Sequence, residues 1–176
     1  MPSRILVAAA TLAVSCGIFI AAQAANVVPE PEGPVILEVR GSLSAIQGDA
    51  AGPDRTIRLD LAGLQRLPQR TVKTYTDWTD GPQTFEGVAL KDVLEYVGAE
   101  GSEIRAVALN DYAVAFPASD AREYPVILAF KHNGKLMRIR DKGPIWIVYP
   151  SEKPSSHQPG PHNDKMVWQL RRLEIR

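Results

Sequence analysis

Only one stretch of this 176-residue chain clearly repeats its apolar residues at helical spacing. Leu90, Val93, Leu94 and Val97 follow the i, i+3, i+4, i+7 rule, and Gly98 is a natural stop. The other apolar runs are short, often β-branched, and broken by 13 glycines and 14 prolines. Strands are expected over 35–39, 70–76, 104–109, 113–116, 126–130, 145–149 and 167–175, and around the alternating Ile57, Leu59 and Leu61. Asn133-Gly134 is a hairpin signal, and the phase slip at Arg171-Arg172 predicts a bulge in the closing strand. Asp60 is placed to cap a short helix over 61–67 that Pro68 ends. Such a pattern predicts a single α+β domain, mostly β, with a few short helices.

The N-terminus reads as an export signal. Arg4 precedes an almost wholly apolar run over 5–22, and Ala22-Gln23-Ala24 has the small-x-small form of a cleavage site. Cleavage after Ala24 makes residues 1–24 a signal peptide and places the mature protein in the periplasm. An uncleaved anchor is the alternative, and lipidation at Cys16 is disfavoured because the apolar run continues past it. Residues 25–34, with three prolines and two glutamates, are expected as a flexible linker, leaving 35–176 as the domain. Cys16 is the sole cysteine, so the mature chain has neither thiol nor disulfide. Twenty basic and twenty acidic residues, with no basic block, argue against nucleic acid as a partner.

Several segments, taken in order, resemble one family. Phe85-Glu86-Gly87-Val88-Ala89-Leu90-Lys91-Asp92-Val93-Leu94 is similar to the W-x-G-V-x-L-x-D-L-L segment of sulfite-oxidase-type molybdopterin-binding domains. The runs Asn110 to Pro117, Leu128-Ala129-Phe130, Asn133-Gly134-Lys135-Leu136, Gly143-Pro144, Val148-Tyr149-Pro150 and the strand from Trp168 to Ile175 resemble later parts of that pattern. The resemblance spans about 35–176 and implies that fold. Enzymes of the family hold molybdenum through a cysteine a few residues before a tryptophan. Here that stretch is Lys73-Thr74-Tyr75-Thr76-Asp77-Trp78, and Thr74 stands where the cysteine is expected. A threonine hydroxyl stays protonated at neutral pH and is a poor ligand for a metal that prefers sulfur. The arginine runs that hold the cofactor's phosphate are not evident either. Molybdenum and redox catalysis are therefore not expected, and the reading favours binding over turnover.

A pterin remains a suitable ligand. It needs an aromatic surface for its flat face and acceptors for its donor edge. Trp78, Tyr112 and Trp146 are the candidate faces, Asp77, Asp111 and Asp141 the candidate acceptors, and Lys142 or Arg140 a donor to the ring carbonyl. Each also has a plainer role: Trp146 as core, Asp111 as a turn former, Tyr112 as a rim residue. The chain is similar to small exported pterin-binding regulators of this fold (the PruR type). That likeness implies a reduced pterin, such as a tetrahydropterin, as ligand. It also implies a partner: the periplasmic region of a membrane-bound cyclic-di-GMP enzyme. The alternatives are a molybdopterin-dependent oxidoreductase domain or subunit, and an adaptor that binds no small molecule. His132, His157 and His162 lack zinc-site spacing, and no Ser lies in a G-x-S-x-G elbow. The Pro/Ser/His-rich loop over 150–164 is read as a lid, a docking surface or surface disorder.

Overall fold

Burial alternates along the first strand, β1 (Val35–Ser42), where Leu37 and Val39 point inward and Arg40 outward. The structure, a computed structural model, describes residues 26–48, 54–152 and 160–176. The predicted signal peptide over 1–24 lies outside those residues. β1 pairs antiparallel with β2 (Asp54–Asp60), and helix α1 (Leu61–Gln65) follows directly. Leu61 thus opens the helix rather than extending the strand. β3 (Gln69–Thr74), β4 (Gln83–Ala89), α2 (Leu90–Tyr96), β5 (Glu103–Ala108), β6 (Ala113–Pro117) and α3 (Asp120–Glu123) come next. β7 (Ile127–His132), the short β8 (Lys135–Leu136), β9 (Trp146–Val148) and β10 (Leu170–Ile175) complete the order.

Two sheets result. One runs β2-β1-β10-β5-β6, with β1 and β10 parallel; the other runs β3-β4-β7-β8, with β9 paired to β7. Leu37, Ile57 and Leu173 of the first sheet share one buried cluster with Phe85, Leu128 and Trp146 of the second. The mostly β α+β fold is as expected. β10 carries its register shift between Leu170 and Arg172, at the predicted slip. Neither β4 nor α3 is signalled by the sequence pattern. β4 reads poorly because Glu86 and Gly87 interrupt its period, but it is central and pairs with β3 and β7 on its two sides. At Gly87 a Cβ would overlap the Leu128 carbonyl oxygen, so glycine alone permits this approach of β4 to β7.

The proline-rich segment expected as a flexible linker is docked instead. Val28 is buried, its N–H donates to the Ile46 carbonyl, and the amides of Glu32 and Gly33 donate to Asp60 Oδ2 at 2.9 and 2.8 Å. Composition points to a solvated tether, but one apolar side chain and one buried carboxylate suffice to hold it. Asp60 also caps α1 by accepting from the Gly63 amide at 2.7 Å. These amides, Gly63 first and Gly33 next, hold its carboxyl below the ordinary 3.8. A depressed folded-state pKa contributes stability that is full above the unfolded value and fades as pH falls through the folded one. Asp60→Ala is therefore expected to cost about 2 kcal/mol at neutral pH. Its deficit relative to wild type should shrink below about pH 4, as measured by urea unfolding at several pH values. Among the described residues no helix is long and apolar enough to cross a membrane.

Candidate functional site

Where β3 ends, the chain turns sharply and carries Asp77 and Trp78 out of the sheet. Thr74 closes the strand with its side chain buried, and its hydroxyl is engaged on both sides by one neighbour. It accepts from the Ser151 amide at 2.6 Å and donates to the Ser151 carbonyl at 2.9 Å. Two residues on, the Thr76 hydroxyl meets that of Thr79 at 2.9 Å and accepts the Trp78 amide at 3.3 Å. This hydroxyl turn fixes the backbone that presents the Trp78 indole.

Trp78 joins a cluster of three indoles. Its ring lies edge-on to Trp168 at 5.2 Å and to Trp146 at 6.0 Å between centroids. Trp146 is buried on β9, and its Nε1 donates to the Met166 carbonyl at 3.1 Å. The Lys142 ammonium sits 4.9 Å from the Trp168 ring centre and 5.5 Å from that of Trp146. The His132 pKa is lowered by burial first and by this same positive charge second.

Two further segments meet this cluster. The β5–β6 turn places Asp111 at φ +64° and brings Tyr112 to the surface, its amide donating to Asn110 Oδ1 at 3.2 Å. The segment from Gly160 to Trp168 then crosses the front. Asn163 Nδ2 and the Gly160 amide both donate to Asp77 Oδ2, and the Tyr112 hydroxyl donates to the Asp164 carbonyl at 3.2 Å. Between these elements lies a largely apolar cavity of about 500 Å³. That volume lies within the range that small-molecule sites occupy.

Of the residues singled out from sequence, Asp77, Trp78 and Tyr112 line this cavity together. Thr74 and Trp146 are buried and do not line it, and Lys142 covers the ring faces of Trp146 and Trp168. Asp111 is turned to Arg171, whose guanidinium lies 2.5 Å away. Asp141 is exposed and accepts from Arg138 Nε at 2.7 Å, and that bond, foremost, holds its pKa down. Sequence reasoning misses Trp168, Asn110, Asn163, Asp164 and Met166 as site residues. Trp168 reads as the start of a strand, and the others give no local signal. Of the 150–164 loop, Asn163 and Asp164 form part of the cavity wall, and residues 153–159 lie outside the described residues.

Behind the wall, Lys165 Nζ pairs with the buried Asp120 carboxylate at 2.7 Å, and the Tyr149 hydroxyl donates to the same oxygen at 2.8 Å. His162 stacks on Tyr149 at 4.7 Å. Among the described residues no three His, Cys, Asp or Glu side chains converge as metal donors.

The family model for the oxidoreductase molybdopterin binding domain matches residues 45–153. That span includes Asp77, Trp78 and Tyr112 but ends before the wall formed by Asn163, Asp164 and Trp168. No curated protein matches the chain.

Proposed function

The chain belongs to the oxidoreductase molybdopterin-binding family, and on that premise we propose that it is an exported, non-catalytic pterin-binding protein. In this reading it resides in the periplasm, takes up a reduced pterin such as a tetrahydropterin, and signals to the periplasmic region of a membrane-bound cyclic-di-GMP enzyme. The single observation that supports it best is the cavity itself. Indole rings of Trp78 and Trp168 form part of its wall, with the Asp77 carboxylate held beside them by Asn163 and Gly160. A pterin lays its face on such rings and offers its 2-amino and N3–H donors to a carboxylate.

The residues present do not fit a sulfur-held metal. Thr74 supplies a neutral hydroxyl, both donates to and accepts from the Ser151 backbone, and is not among the side chains that line the cavity. The proposed role accordingly involves no metal-centred step. A signalling role requires that the loaded and empty forms differ in affinity for the partner. The wall segment is where that difference can arise, because it borders the ligand space on one side and the Asp120 ion pair on the other.

Isothermal calorimetry of the purified protein with a tetrahydropterin, under anaerobic conditions, is the direct test. Saturable heat at one site per chain is expected. An absence of heat at high micromolar pterin would remove the proposal. Stoichiometric molybdenum in protein purified from its native host would favour an oxidoreductase domain instead.

A further inference from the structure

The hairpin from β7 to β8 and the turn after it mix cations with exposed aliphatic side chains. Between residues 133 and 141, Lys135, Arg138 and Arg140 alternate with the apolar Leu136, Met137 and Ile139, and Asp141 is the one acid. Met137 is buried and roots the turn, its amide donating to the Phe130 carbonyl at 2.9 Å. Leu136 and Ile139 are instead 53% and 59% exposed. Fraying does not account for this. The amides of Asp141 and Gly143 donate to the Arg138 carbonyl at 2.8 and 2.9 Å, and Gln169 Nε2 donates to the Ile139 carbonyl at 2.8 Å. Lys135, Arg138 and Arg140 are all exposed. Asp141 lies 2.7 Å from Arg138 and 3.8 Å from Arg140, so three cations face one carboxylate and the turn stays positive.

We infer that this turn is a docking surface for an anionic lipid leaflet. Single exposed apolar side chains are ordinary, but two within four residues, set among cations on a rigid turn, match a peripheral membrane contact. The aliphatic tips enter the boundary between headgroups and acyl chains, and the long Lys and Arg side chains reach the phosphates beside them. The chain as a whole is neutral, so the complementarity to an anionic leaflet is local to this turn. A protein partner fits less well. Protein interfaces are centred on aromatic anchors and deplete lysine, whereas residues 133–141 hold no aromatic ring. Two aliphatic side chains and a small net charge give weak, reversible and salt-sensitive binding rather than anchorage. Such contact would hold the protein on the surface where the proposed membrane partner lies and raise their local concentration. The surface itself does not depend on the pterin reading.

The test is flotation of the chain from Ala25 onward with vesicles of phosphatidylcholine alone or mixed equally with phosphatidylglycerol. Binding to the mixed vesicles is expected to be at least ~10-fold stronger at low salt, with the gap closing as salt rises. Leu136→Ser with Ile139→Ser, and separately Lys135→Gln with Arg140→Gln, should each weaken it by at least ~5-fold. Arg122→Gln removes an exposed cation from α3 instead and should change it less than ~2-fold. All these side chains are exposed, and the urea midpoint verifies that each variant is folded. Equal binding to both vesicle types, no binding to either, or the same loss in Arg122→Gln as in the turn variants would overturn the inference. Turn variants that float like wild type but lose capture of an acidic protein would overturn it too, and give the surface to a protein.

Discussion

Asp120→Ala is expected to lower the unfolding free energy by about 3 kcal/mol. The carboxylate is almost wholly buried and serves two donors through one oxygen, Lys165 Nζ at 2.7 Å and the Tyr149 hydroxyl at 2.8 Å. Truncation strands an ammonium whose side chain is only 20% exposed and a buried phenol without its acceptor. Breaking one half of a buried pair costs about 3–5 kcal/mol, and the partial exposure of Lys165 favours the low end. Burial first, then the bond to Asp120 and its charge, raise the Tyr149 pKa, so its hydroxyl remains a donor across the physiological range. The midpoint of urea denaturation reads the effect directly. Asp120→Ala combined with Lys165→Met should recover part of the loss, because the stranded charge is gone. A midpoint equal to that of wild type would show that the pair holds nothing in place. Ligand affinity of the folded variant should also fall, since Lys165 lies between Asp164 and Met166, which line the cavity.

Trp78→Ala should weaken pterin binding by about 1–3 kcal/mol, roughly 5- to 150-fold in Kd, by analogy with aromatic stacking on nucleobases. Trp78 both lines the cavity and braces Trp168, so truncation removes one wall and loosens another. Trp78→Phe keeps a ring and should lose less. Fluorescence quenching by bound pterin gives an independent reading, because the three indoles lie within 6.3 Å of one another by ring centres. If Trp78→Ala binds pterin as tightly as wild type, the ligand does not rest on this ring and the site must be sought elsewhere.

Sequence is informative where the deciding chemistry is local. The Asp60 cap, the α2 spacing, the hairpin at Asn133-Gly134 and the slip at Arg171 each depend on neighbours along the chain. β4 is hidden, because the glycine required by its close approach to β7 also breaks its period. The docked segment before β1 is hidden for a related reason: composition describes solvation, whereas one buried valine and two amides on Asp60 decide its position. The cavity is half legible. Asp77, Trp78 and Tyr112 stand out within segments that resemble the family, whereas Asn163 and Asp164 arrive from a loop that gives no periodic signal and Trp168 reads only as the start of the closing strand. Their convergence is a tertiary fact. Thr74 shows the reverse case, since its sequence position is informative while its hydroxyl serves the backbone of Ser151.

The parallel pairing of β1 with β10 has a consequence for how the molecule assembles. β10 is the central strand of its sheet, with the β1–β2 pair on one flank and the β5–β6 pair on the other. The two pairs are joined only through β10, whose neighbours β1 and β5 both lie far from it along the chain. Contacts so distant along the chain slow folding and favour a long-lived open state. For a polypeptide threaded through a translocon, as the proposed export requires, such a late-arriving keystone keeps the chain loose for the journey.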